Sequence, residues 1–280
     1  MDKKTPSKSP ERLAVLARIR ELEAQGLFDH DVEIDPPWKP LDPEKVDFLK
    51  KNPWNRFKSH IATFLGWRYF EGTLKKKQWI YAGCTGLENL ADFSGGAMVT
   101  CNHFSQVDSY AVHLTLTKHF KKYRLHKIVR EGNYSFPGLV GFLLRNGDTL
   151  PIGEGFKLMS KATAAIGALL ECGKKILIYP EQGMWWNYRK PRPLKKGAFL
   201  FAAKHGAPVI PCFVTLNDSL LIGKDGFPVQ EYTTHILPPI YPDKNLTTGE
   251  NCERMRVRNA ELWQECYERV YGESPTQNEK

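Results

Sequence analysis

From Trp79 onward, short apolar runs alternate with longer stretches whose apolar positions recur every three or four residues. The first pattern predicts strands and the second helices. Strands are expected near Trp79–Ala82, Ala97–Cys101, Lys127–Arg130, Thr149–Ile152, Lys175–Tyr179, Val209–Thr215 and Thr234–Leu237. Helices are expected over 107–119, 136–145, 155–172, 195–205 and 249–271. In the third of these, Phe156, Met159, Ala162, Ala165, Ile166, Leu169 and Leu170 share a face, and Gly173 closes it. Such alternation predicts an α/β fold in which a mixed, mainly parallel sheet is flanked by helices.

The chain before Trp79 reads differently. Ser9-Pro10-Glu11 supplies a cap, a proline at the first helical position and an acidic first turn, and Leu13, Leu16, Ile19 and Leu22 form a stripe ending before Gly26. Asp35-Pro-Pro-Trp-Lys-Pro40 reads as a linker, and Asp42-Pro43 as the start of a short second helix. Trp54 to Phe70 then sets Phe57, Ile61, Phe64, Leu65, Trp67 and Phe70 among Arg56, Lys58 and Arg68. That composition suits either a helix lying in a membrane interface or one packed on the main domain. The expected division is a helical N-terminal segment at 1–72, with possible membrane attachment, and an α/β domain at 73–280.

One stretch carries candidate chemistry. The apolar run Ala97-Met-Val-Thr100 breaks at Asn102, and His103 stands five residues before Asp108 at the join with a helix. On a regular helix that spacing turns two side chains apart, so the pair meets only if His103 precedes the helix and Asp108 lies in its first turn. A carboxylate there would hold one imidazole nitrogen and leave the other free to take a proton, making His103 a candidate general base. Ser105-Gln-Val-Asp108 also reads as a capping box, and cap and dyad are compatible. Cys101 is a candidate nucleophile whose alternative is a buried inert thiol. Further on, a buried strand ends at Tyr179-Pro-Glu181, and ligands bind at the carboxyl ends of strands in open α/β sheets. Glu181 is therefore expected to hold a ligand group or brace His103, with Gln182 and Gly183 as polar or backbone donors.

Asn102-His103 with Asp108, preceded by Gly86-Leu-Glu-Asn-Leu90, resembles the first block of the glycerol-phosphate acyltransferase superfamily, the 1-acylglycerol-3-phosphate acyltransferase-like or lysophospholipid acyltransferase proteins. Phe136-Pro-Gly-Leu-Val-Gly-Phe-Leu-Leu-Arg-Asn-Gly147 resembles the approach to the second block, Tyr179-Pro-Glu181 and Lys195-Lys-Gly197 the third, and Val209-Ile-Pro211 the fourth. The blocks recur in the family's order over about residues 80 to 216. The resemblance implies transfer of a fatty acyl group from acyl-CoA or acyl carrier protein to a lysophospholipid or related lipid alcohol. In it His103 and Asp108 would be catalytic, and Glu181, Gln182, Gly183, Lys196 and Arg145 would bind substrate. Two family arginines are missing: Gln182-Gly183-Met184 follows Tyr-Pro-Glu, and Gly153 ends the second block. Their loss removes guanidinium forks suited to a phosphomonoester, for which Arg145, Arg189 or Lys196 would have to compensate.

Composition limits the remaining choices. At 280 residues, 41% hydrophobic and 12% aromatic, the chain has material for one sizeable core. Six cysteines without a C-x-x-C pair point to neither a zinc site nor a disulfide framework, and no metal or cofactor beyond the acyl thioester co-substrate is expected. No apolar run approaches the roughly eighteen residues of a membrane span, and the N-terminus lacks a signal-peptide core. The net charge of +9 gathers at Lys75-Lys-Lys77, Lys118 to Arg130 and Arg189 to Lys196, while residues 1–56 balance acid and base. Such clusters suit an anionic membrane surface; no nucleic-acid motif accompanies them. The expected location is cytoplasmic, peripherally bound at the cytoplasmic face of the membrane. Alternatives of other classes are a thioester or ester hydrolase, with water as acceptor, and a non-catalytic basic module for anionic lipid.

Overall fold

The computed structural model describes residues 6–33, 37–120 and 124–272. Lys121 and Lys122 of the second basic cluster, and Asp35-Pro36 of the linker, lie outside the described residues. Among those described, seven strands form one sheet: β1 (Ile80–Thr85), β2 (Ala97–Thr100), β3 (Leu125–Arg130), β4 (Thr149–Ile152), β5 (Lys175–Ile178), β6 (Val209–Ile222) and β7 (Pro228–Ile236). Their order is β1-β7-β6-β2-β5-β3-β4, with β6 and β7 antiparallel and every other pair parallel. The expected mixed, mainly parallel sheet is what forms. Helices are α1 (Pro10–Ala24), α2 (Pro53–Lys75), α3 (Asp108–Leu116), α4 (Gly138–Asn146), α5 (Phe156–Glu171), α6 (Gly197–Lys204) and α7 (Thr248–Tyr271).

The period of two along each strand divides the core. Met98, Ile176, Ile178 and Phe213 turn toward α5, α6 and α7, where Ile166, Phe199 and Trp263 meet them. Ala97, Val99, Leu177 and Val214 turn the other way, against Tyr110, Ala111, Val112 and Leu116 of α3. A strand covered on both faces must be apolar throughout, which is why β2 reads as an unbroken run. Close approach fixes one residue at its mouth: a Cβ on Gly96 would stand 2.1 Å from the Leu170 carbonyl oxygen at the end of α5.

β2 ends in a side chain that imitates a strand. The Asn102 amide donates to the Val214 carbonyl at 2.9 Å and accepts from the Val214 N–H at 2.8 Å, filling the rung that a further β2 residue would have made. Freed from the ladder, the chain turns at His103 over the carboxyl end of the sheet.

The N-terminal segment departs from expectation in two places. No helix starts at Asp42-Pro43. The Asp42 carboxylate accepts from the Glu44 N–H at 3.0 Å and the Asp47 carboxylate from the Lys51 and Asn52 N–H groups, so side chains take donors that a helix would need. Asn52 then caps α2, which continues past Phe70 to Lys75. The stripe on α1 is buried only at Ile19 and Leu22, which close with Val32 on Trp185. Trp185 is the joint between α1 and the loop after β5. Its indole N–H donates to the His30 carbonyl at 2.9 Å.

Candidate active site

His103 and Asp108 meet. His103 lies before α3 and Asp108 opens it, and Nδ1 and Oδ2 are 2.8 Å apart. Asp108 is buried, whereas 22% of the imidazole side chain is exposed. Oδ2 also accepts from the N–H groups of Phe104 at 3.1 Å and Ser105 at 3.2 Å. The acidic half of the capping box therefore coexists with the dyad. The Ser105 hydroxyl accepts from the Val107 N–H instead of from Asp108, so its other half is displaced. Carboxylate acceptance at Nδ1 places that ring proton there and leaves Nε2 as the acceptor nitrogen.

Two further residues, neither assigned a role from sequence, complete the site. The Tyr179 ring stacks on His103 at 3.8 Å between centroids, and its hydroxyl donates to Asp108 Oδ1. Arg192 is buried against Glu181, with Nη2 2.6 Å from Oε2. Its other bonds reach the carbonyls of Gly183 at 2.6 Å, Phe28 at 3.0 Å and His103 at 3.3 Å. In the sequence Arg192 is one cation in a basic run, with nothing to mark it as internal. Tyr179 had a signal: its hydroxyl is a polar group at the end of an otherwise apolar strand and must find a partner once buried.

The expected substrate-binding residues are placed differently. Glu181 is buried with both oxygens engaged, accepting from the His103 N–H at 3.0 Å and the Arg192 N–H at 3.1 Å besides the guanidinium. It braces the main chain of His103 and presents no free oxygen to an acceptor hydroxyl. The Gln182 N–H donates to the Tyr179 carbonyl and the Gly183 N–H to the Glu181 carbonyl, both at 3.1 Å, so neither backbone donor is free for an acyl oxygen. Gln182 takes the left-handed conformation at φ 70°, the geometry of a tight turn. Arg145 Nη1 is held by the carbonyls of Tyr134 at 2.6 Å and Phe136 at 3.0 Å, fastening the loop before α4. Lys196 precedes α6 and faces Glu253 on α7 at 3.6 Å, within the helix layer opposite α3. Arg189 is taken by Asp218 at 2.7 Å.

Cys101 is fully buried, and burial first, then the Asp108 charge, pushes its thiol well above the usual range. A thiol held in that state is a poor nucleophile. Cys101→Ala is expected to keep turnover within about threefold of wild type in a steady-state assay, whereas a nucleophile would lose nearly all of it.

Residues 82–215 match a family model described as acyltransferase. Among solved structures, the crystal structure of the 1-acyl-sn-glycerophosphate (LPA) acyltransferase PlsC from Thermotoga maritima is similar, with 19% identity and a TM-score of 0.50 over 78% of this chain and 90% of that one. At this identity the likeness is one of fold. No curated protein sequence matches. The matched segment runs from β1 into β6 and contains His103, Asp108, Tyr179, Glu181 and Arg192, so the elements that assemble the site are those the family model covers. By this match the segment that assembles the site, residues 82–215, is an acyltransferase domain.

Proposed function

We propose that this acyltransferase moves a fatty acyl group from an acyl thioester, acyl-CoA or acyl carrier protein, to the hydroxyl of a lysophospholipid or related lipid alcohol. The observation that carries the reading is the 2.8 Å contact between His103 and a buried Asp108, with Nε2 bound to no group among the described residues. Nε2 takes the acceptor proton as the acceptor oxygen attacks the thioester carbonyl. The C–S bond then breaks, and the thiolate leaves with the proton that His103 returns. No covalent bond to the protein is needed.

The acceptor is proposed to carry a phosphodiester head group or none. Glycine at 153 and methionine at 184 leave no guanidinium at the two family positions, while Arg145, Arg189 and Arg192 are committed to carbonyls and carboxylates. The test is purified protein with acyl-CoA and a panel of lysolipids, with products read by mass spectrometry. Acylated lipid is expected, with lysophosphodiesters used at least as fast as lysophosphatidic acid. Free fatty acid alone would establish the hydrolase, and absence of any product would sink the transferase.

We also place the work at a membrane surface. No described helix is long and apolar enough to cross a bilayer. α2 instead exposes Trp54 at 62%, Phe57 at 53% and Phe64 at 62%, together with Ile61, on one stripe beside Lys58 and Arg68. α4 packs on α2 and adds exposed Leu139 and Val140. Aromatic contacts run inward from Trp67 to His113 and from Phe70 to Tyr110 on α3, the helix that carries Asp108. Aromatic groups flanked by cations suit the headgroup level of an anionic bilayer. Phe57→Asp with Phe64→Asp is expected to weaken co-sedimentation with anionic vesicles at least about tenfold, since each phenylalanine contributes roughly 1.5–3 kcal/mol when buried. Undiminished sedimentation would refute that role.

A further inference from the structure

Tyr179 exchanges no proton in the proposed reaction, yet both parts of its side chain are spent on the pair that does. Asp108 Oδ2 is fixed by three donors: His103 Nδ1 and the N–H groups of Phe104 and Ser105. Fixing one oxygen leaves the carboxylate plane free to turn, because the terminal torsion of an aspartate has broad, shallow wells. The Tyr179 hydroxyl removes that freedom by donating to Oδ1. Burial, followed by the charge of Asp108, pushes this hydroxyl well above the usual tyrosine range, so it stays a donor.

The imidazole has the same problem. One hydrogen bond at Nδ1 fixes a point and not a plane. The Tyr179 ring lies 3.8 Å below it at an angle of 14°, so any turn of the imidazole out of its plane meets the phenol. Glu181 and Arg192 hold His103 through its backbone N–H and carbonyl. Tyr179 holds the side chains, and among the described residues no other side chain both stacks on His103 and bonds to Asp108.

We propose that Tyr179 is the positioning residue of the dyad: its hydroxyl locks the Asp108 carboxylate, its ring locks the His103 imidazole, and together they aim Nε2 at the acceptor hydroxyl. Because one imidazole face is covered, the acceptor and thioester approach along the Nε2 edge from the uncovered side. The inference rests on the general-base reading, and the experiment separates the two.

Tyr179→Phe keeps the ring and loses the hydroxyl. Losing a hydrogen bond to a charged group is expected to lower kcat about tenfold with KM held within about twofold. Tyr179→Leu loses both contacts and is expected to lower kcat about a hundredfold. A second readout does not depend on turnover. The Nδ1–H resonance of His103, assigned by its disappearance in His103→Ala, should be resolved in the wild type, broadened by solvent exchange in Tyr179→Phe and lost in Tyr179→Leu. Positioning requires both changes in Tyr179→Phe, and either without the other overturns it; if Tyr179→Leu does not fold, Tyr179→Phe decides alone. Wild-type turnover in His103→Ala would instead overturn the general-base reading, an outcome that the resonance of the tyrosine variants does not share.

Discussion

His103→Ala lowers kcat by about 10³-fold, within the 10²- to 10⁴-fold span of a positioned general base, while thermal melting stays near that of wild type. Stability is expected to hold because 22% of the side chain is exposed and its main-chain anchors survive the substitution. Asp108 requires a subtler variant. Alanine would strand four donors in a buried space, so a fall in activity would report misfolding as readily as chemistry. In Asp108→Asn the two backbone N–H groups keep an oxygen at the Oδ2 position. The amide nitrogen is then turned toward Tyr179, whose hydroxyl can accept from it. The imidazole keeps its tautomer and loses only the charge that stabilises it once protonated. Turnover is expected to fall about 10²-fold, the scale of a charge-assisted hydrogen bond made neutral. Wild-type turnover in either variant would reduce the 103–108 contact to a helix cap and remove the basis of the proposed mechanism.

That contact was legible in the sequence because it is local. The five-residue spacing needed only a strand end and a helix start around it, and both are marked by apolar periodicity. The sheet was legible for the same reason, since strands buried on both faces read as unbroken runs. Roles that depend on where distant segments cross were not. Glu181 was expected to touch substrate or brace His103, and the partner that turns it toward bracing, Arg192, lies eleven residues on in a loop with no periodicity. The backbone donors at Gln182 and Gly183 are consumed by a turn whose closure depends on the left-handed backbone at a non-glycine position. Arg145 looked available because nothing in sequence shows that it folds back on carbonyls of its own loop. The hairpin of β6 and β7 runs on to the Gly223–Gly226 turn, with β6 buried through Leu216 and largely exposed beyond it. The expectation stopped at Thr215, where full burial gives way soon after.

The Glu181–Arg192 pair leads to the largest effect expected on stability. Both side chains are almost fully buried, and the guanidinium also holds three carbonyls, from Phe28, His103 and Gly183. It thereby ties the segment after α1 to the loop after β5 and to His103, with Trp185 stacked at 4.8 Å. Arg192→Met keeps the volume and removes every one of these bonds, leaving the Glu181 carboxylate without its counter-charge in a site closed to water. Breaking one partner of a buried pair costs about 3–5 kcal/mol, a large share of the roughly 5–15 kcal/mol by which domains are stable. Urea unfolding should show the midpoint fall with an unchanged slope. Adding Glu181→Gln removes the stranded charge while an amide oxygen still accepts a backbone N–H, so the double variant should be more stable than Arg192→Met alone. That sign distinguishes a buried ion pair from two independent packing groups, whose losses would simply add. A double variant at the sum of the two single losses, or an unmoved midpoint in Arg192→Met, would show that the 2.6 Å contact is not what holds the loop against His103.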